Sequence, residues 1–179
     1  MGPRFTARRA LLGLPLAASA CGFEPMLAPR GDSAGVPNDE RLRQEIAAVR
    51  VANIPDRIGQ VMRRNLERRF EGSRPGTPAR YELQAGLAIS TEPLGFRRDG
   101  LATRVRYNAS GPWALATLDA PPQVLARGAP RTLDAYNIPD LQFFAADTSR
   151  ADMENRIVAE LADRIFFEVV AALRARLGT

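Results

Sequence analysis

All 25 basic residues of this 179-residue chain are arginine, and histidine and lysine are both missing. This narrows the chemistry at once. Guanidinium forks bind carboxylates and phosphates in a bidentate way that an ammonium does not match. Without histidine the chain lacks the usual general base near neutral pH and the commonest metal ligand. One cysteine, Cys21, rules out an intramolecular disulfide and a cysteine zinc cluster. The arginines with the most suggestive spacing are Arg97 and Arg98 in a glycine-flanked loop, Arg104 and Arg106 two residues apart, and Arg127 and Arg131 further on. Two residues along a strand is about 7 Å on one face, a separation that suits anion recognition. The acids are less informative. Asp56, Asp147, Asp152 and Glu154 fall at expected helix starts, where carboxylates serve as caps and dipole partners. No Ser-x-x-Lys, Gly-x-Ser-x-Gly or phosphate-loop pattern is present, so the chain reads as a non-enzyme without cofactor.

These arginines must be held by a folded domain, and the alternation of side chains suggests which. Residues 46–54 read as a strand in which Val49 and Val51 alternate with Arg50 and Ala52. Pro55-Asp56 then opens a helix with Asp56 as its cap. Ile58, Val61, Met62, Leu66 and Phe70 recur at helical spacing, with Arg57, Arg63, Arg64, Arg68 and Arg69 on the other side and Gly72 ending the helix. Tyr81, Leu83, Ala85, Leu87 and Ile89 alternate with polar or small residues, a strand with one wet face. Residues 93–100 read as a loop carrying Arg97 and Arg98. A second strand runs over 102–118, with Gly111-Pro112 as an interruption or bulge. A third covers 123–136. Ser149 to Asp152 fits a capping box for a last helix, in which Ile157, Leu161, Ile165, Val169, Leu173 and Leu177 recur every four residues. Val158, Phe166 and Val170 widen that stripe, and Gly178 stops the helix. The Phe143-Phe144 and Phe166-Phe167 pairs read as core. The fold class expected is α+β, in the order β-α-β-β-β-α, with two helices on one face of a four-stranded mixed or antiparallel sheet. A chain this long buries roughly two-thirds of its unfolded surface and folds without disulfides.

The N-terminus reads as an export signal. Arg4, Arg8 and Arg9 precede a short apolar run over 10–18, too short to span a bilayer. Ser19-Ala20 then places small residues directly before Cys21, the arrangement lipoprotein signal peptidase accepts. Ala18 stands where leucine is commoner, so an ordinary signal peptide with a free Cys21 thiol stays open. Arg8-Arg9 leaves open a twin-arginine route. Lipidation accounts for the lone cysteine, and several acyl chains give stable anchoring. We therefore divide the chain into a signal peptide at 1–20, a lipidated N-terminus and tether at 21–40, and one globular domain at 41–179. Losing the signal removes three arginines and no acid, lowering the formal charge from +5 to +2. That weakens a nucleic-acid reading, as does export itself. Gly22 after Cys21 favours the outer membrane.

Several segments resemble the LptE lipopolysaccharide-assembly lipoproteins, in the form found in alphaproteobacteria. They are Cys21-Gly22-Phe23-Glu24-Pro25-Met26, Ile54 to Gln60, Tyr81-Glu82-Leu83, Ala102-Thr103-Arg104, Tyr136-Asn137 and the arginine-rich last helix. The resemblance implies a lipid-anchored outer-membrane protein, facing the periplasm or a barrel lumen. It would plug and help assemble a large β-barrel of the LptD type and bind lipopolysaccharide on its way to the outer leaflet. Lipid A phosphates and core carboxylates suit arginine, so Arg97, Arg98, Arg104, Arg106, Arg127 and Arg131 are expected to form the anion-binding surface. Solvated surface charge, or pairing with an acidic barrel lumen, stays open for each. The other function compatible with this anchor and fold is an outer-membrane lipoprotein scaffolding a different envelope complex.

Overall fold

The structure, a computed structural model, describes residues 36–72, 74–138 and 143–178. The segment read as a signal peptide, Cys21 and most of the expected tether lie outside the described residues, as do the Phe143 and Phe144 side chains. Alternation and helical stripes produce ten elements. These are α1 (Val36–Ala47), β1 (Val49–Val51), α2 (Arg57–Glu71), β2 (Tyr81–Ala85), β3 (Ala88–Phe96), β4 (Ala102–Ser110), β5 (Trp113–Thr117), β6 (Val124–Gly128), β7 (Arg131–Asn137) and α3 (Phe143–Leu177).

The class is the α+β one expected, with two differences in count. The strands form a four-stranded sheet, β1-β2-β5-β6, and a three-stranded sheet, β3-β4-β7. Each of the three long strands is broken once: the second at Gly111-Pro112, where an interruption is expected, and the first and third, read as continuous, at Gly86-Leu87 and Ala129-Pro130. The breaks are aligned. Gly86 donates its N–H to the Pro112 carbonyl at 2.8 Å, and Gly111 donates to that of Pro130 at 3.0 Å. Proline has no N–H to give to a ladder, so both proline-containing breaks fall where strand pairing is interrupted. The order β2-β5-β6 continues as β3-β4-β7 across this crease, so the two sheets are halves of one bent antiparallel ribbon. β1 adds a parallel edge to β2.

The second difference is α1, where the tether was expected to extend to residue 40. Pro37 suits a first helical turn, and Leu42 and Ile46, one turn apart, are buried. Three further expectations are corrected. α3 begins at Phe143, so the Ser149–Asp152 capping box lies inside the helix. Asp56 precedes α2 with φ 67° and makes no side-chain cap hydrogen bond. The strand expected at 46–54 is confined to 49–51 because Ile46 belongs to α1.

The core lies between the helices and one face of the ribbon. Met62, Leu66 and Phe70 of α2 and Ile157, Leu161, Ile165, Val169 and Leu173 of α3 are buried against Val51, Leu83 and Leu115 of the sheet. The Phe70 and Phe166 rings meet with centroids 5.3 Å apart. Phe166 is core as expected, but its neighbour Phe167 is half exposed. Gly178, at φ 75°, ends α3 as read from the sequence.

Candidate anion-binding surface

Side chains on a ribbon alternate, and the register shows which side each arginine takes. Leu115 pairs with Ala126 and Trp113 with Gly128 on the buried face. In the other half, Ala109 is buried and pairs with Thr132, whose hydroxyl donates to Glu160 of α3 at 2.6 Å. Tyr107 pairs with Asp134, which accepts from Arg156 of α3. These residues mark the helix side. The opposite side carries Arg104, Arg106 and Ser110, paired with Asn137, Ala135 and Arg131, and Ala114, paired with Arg127. Four of the six arginines singled out from the sequence therefore share one face, away from the helices, and that face holds no buried residue.

They do not form one cluster. Along the middle strand they sit level with residues 104, 106, 110 and 114, a stripe on the order of 30 Å long. Arg106 is engaged by Glu92 across the strand pair at 3.3 Å. Arg97 reaches Asp99 at 3.3 Å. Arg98, Arg104, Arg127 and Arg131 have no ion pair or hydrogen bond to their side chains among the described residues, and all four are exposed. Residues 93–96, expected in a loop, continue strand β3 with a bulge, so Arg97 and Arg98 stand at a tight hairpin end closed by an Arg97 N–H to Leu101 carbonyl bond of 2.8 Å.

Beside Arg131 lies a cavity of about 700 Å³, whose walls include Ser90, Asn108, Ser110, Leu133, Glu160 and Arg164. The Thr132 hydroxyl and then the Arg164 guanidinium, 2.7 Å away, hold the Glu160 carboxyl below its ordinary range. Glu160 and Arg164 were not anticipated as site residues. They come from a helix some thirty residues on, and nothing local in their sequence marks the contact. A second cavity, of about 590 Å³, is lined by Ile54, Asp56, Arg57, Leu87, Arg150 and Glu154, with Arg57 bound to Glu154 at 2.9 Å. Among the described residues there is no group of acids able to hold a metal ion, and no helix long and apolar enough to cross a membrane.

Comparison with known proteins agrees with this architecture. A lipoprotein from Caulobacter crescentus CB15 superposes with a TM-score of 0.58 at 23% identity, over 76% of this chain and 97% of that one. The rare lipoprotein B of Shewanella oneidensis gives 0.53 at 12% identity, over 74% and 98%. A minor lipoprotein of Acinetobacter baumannii gives 0.54 at 11%, over 70% and 92%. No curated protein matches the sequence. The family model for LptE, lipopolysaccharide-assembly, matches residues 43–169, from within α1 to well into α3. The chain belongs to the LptE lipopolysaccharide-assembly family.

Proposed function

We propose that this protein is an outer-membrane lipoprotein that plugs and assists assembly of a large LptD-type β-barrel and binds lipopolysaccharide during its insertion into the outer leaflet. Residues 1–20 are removed and Cys21 carries the lipid. The domain then works on the periplasmic side or within the barrel lumen. The observation that carries this reading is the helix-free face of the ribbon. Arg104, Arg127 and Arg131 lie on it without an acidic partner among the described residues, and Arg98 stands at its end. Unpaired guanidiniums on an open face keep their donors for an outside anion, and phosphate and carboxylate are the groups they match best. Arg106 would exchange Glu92 for ligand. The exposed ion pair between them is worth little, so the exchange is cheap. The protein acts as a binding and structural component, with no catalytic residue.

Replacing Arg104 and Arg106 together by serine tests the ligand side. Lipopolysaccharide affinity of the purified protein should fall about tenfold or more, since hydrogen bonds to charged groups contribute about 1.5–3 kcal/mol each. Unchanged affinity with the fold intact removes both from the surface. Cys21→Ser tests the anchor: incorporation of labelled palmitate should disappear, and persistent labelling would place the lipid elsewhere.

A further inference from the structure

The helices do not hold the two halves of the ribbon equally. In the half formed by β1, β2, β5 and β6, Val51, Leu83, Trp113 and Leu115 are buried. In the half formed by β3, β4 and β7, only Ala109 is buried. The links from this outer half to α3 are polar. Thr132 donates to Glu160 at 2.6 Å, and Arg156, 59% exposed, donates to Asp134 at 2.9 Å. Both larger cavities take walls from the ribbon and from α3. That of about 700 Å³ has Ile89, Ala109 and Thr132 from one and Glu160 and Arg164 from the other. That of about 590 Å³ has Leu87 and Ile89 from one and Arg150 and Glu154 from the other. Where little apolar surface is buried and the ion pairs are exposed, local opening costs little.

Between the halves lies the crease at which all three long strands break. There the middle strand lies directly on the core. A Cβ on Gly111 would stand 3.0 Å from the Ile165 Cδ1 atom and 3.4 Å from the Met62 Cε atom, both in fully buried side chains. Ladder pairing stops on each side, and single bonds from Gly86 to Pro112 and from Gly111 to Pro130 cross the gap. Gly86 and Gly111 accept wide changes in backbone angle, and Pro112 and Pro130 have no N–H that a rotation would leave unpaired. A few such positions are enough to absorb the rotation of a hinge. Beyond the crease, β4 is paired along its length with β3 on one side and β7 on the other, so that sheet moves as one body. We infer that the β3-β4-β7 sheet is a hinged leaf. It swings about the crease at Gly86, Gly111 and Pro130, with Met62 and Ile165 as the fulcrum, and the Thr132–Glu160 and Arg156–Asp134 links latch it to α3. The inference goes beyond the proposed function, because it requires neither a barrel nor lipopolysaccharide. Arg127 lies on one side of the crease and Arg104, Arg106 and Arg131 on the other, so each swing changes the spacing along the arginine stripe.

The test measures spin-label distances in the full chain, with Cys21→Ser so that labels sit only at introduced cysteines. Two label pairs share Phe167→Cys on α3, where the side chain is half exposed. One pair adds Asn108→Cys in the middle strand of the leaf. The other adds Ala114→Cys in the middle strand of the fixed half, on the same helix-free face. Double electron–electron resonance is recorded for each pair in the parent and in a latch-free variant, Thr132→Val with Asp134→Asn. Loss of the Thr132 hydrogen bond to a charged acceptor should by itself raise the open population about tenfold or more. In the latch-free protein the distances from position 108 should therefore broaden or gain a second peak, while those from position 114 stay as narrow as in the parent. Distances from position 108 that stay equally narrow overturn the inference. So does equal broadening of both pairs, because the links would then hold the whole fold and not a leaf. Neither result bears on lipopolysaccharide affinity or barrel association, so the hinge and the proposed function fail separately.

Discussion

Gly128 should be the least replaceable position in β6. An alanine Cβ there would stand 2.6 Å from the Glu168 Oε2 atom, 2.7 Å from the Trp113 Nε1 atom and 2.9 Å from its Cε2. Those atoms form the tie between the sheet and α3, in which the indole N–H of Trp113 donates to Glu168 at 2.7 Å with the indole itself only 6% exposed. Gly128→Ala must therefore open that bond. Losing a hydrogen bond to a charged acceptor costs about 1.5–3 kcal/mol, and forcing a methyl into a filled space about 1–3 kcal/mol. The lower backbone entropy of alanine returns about 0.5–1 kcal/mol. The net loss should be about 3 kcal/mol, which lowers the melting temperature by about 6–12 °C in a domain of this size. Urea denaturation of a double-mutant cycle with Glu168→Ala isolates the cause. With the carboxylate already gone, Gly128→Ala should cost about 1–2 kcal/mol less than in the parent. An equal cost in both backgrounds, or a loss below about 1 kcal/mol, would refute the reasoning.

Arg69 of α2 is held by Asp163 of α3 at 2.6 Å and by the Asn65 carbonyl at 2.8 Å, so Arg69→Met should destabilise the domain by about 1–2 kcal/mol. Asp163→Asn should cost less, and a neutral Arg69→Met in thermal melts would show that α2 and α3 do not need the link. Glu160 sets a pH dependence. Its carboxyl is held below the ordinary 4.5, first by the Thr132 hydroxyl and then by Arg164, so the charged form favours the fold. That stability is fully present above pH 4.5 and is lost as the pH falls through the lowered folded value. Thr132→Val should therefore be less stable than the parent near neutral pH, by a margin that shrinks below pH 4.5. A margin independent of pH would contradict this.

The bent ribbon was legible in outline because period-two alternation survives the crease. Tyr81 to Ile89 keeps one side turned to the helices even though Gly86 and Leu87 leave the ladder. The α3 stripe was equally clear, since a spacing of four over five turns has no other use. α1 was not legible. Its first turn is Val-Pro-Asn-Asp, which reads as tether, and among the described residues Leu42, Ile46 and Ala47 mark its buried side. The Ser149–Asp152 pattern misled for the opposite reason: a capping box is local, and packing extends the helix past it. At the candidate surface, Arg104 and Arg106 could be placed on one face from spacing alone. That Arg127 and Arg131 share that face depends on a cross-strand register carried through Ala129-Pro130, which no local pattern encodes. The contact of Arg164 and Glu160 with Thr132 is long-range and was invisible for the same reason.

The most direct test of the central claim is to tag the C-terminus, solubilise outer membranes in mild detergent, pull the protein down and identify what accompanies it by mass spectrometry. The account predicts a large LptD-type barrel in stoichiometric amount. Recovery of a different envelope complex, or of the lipoprotein alone, would contradict it.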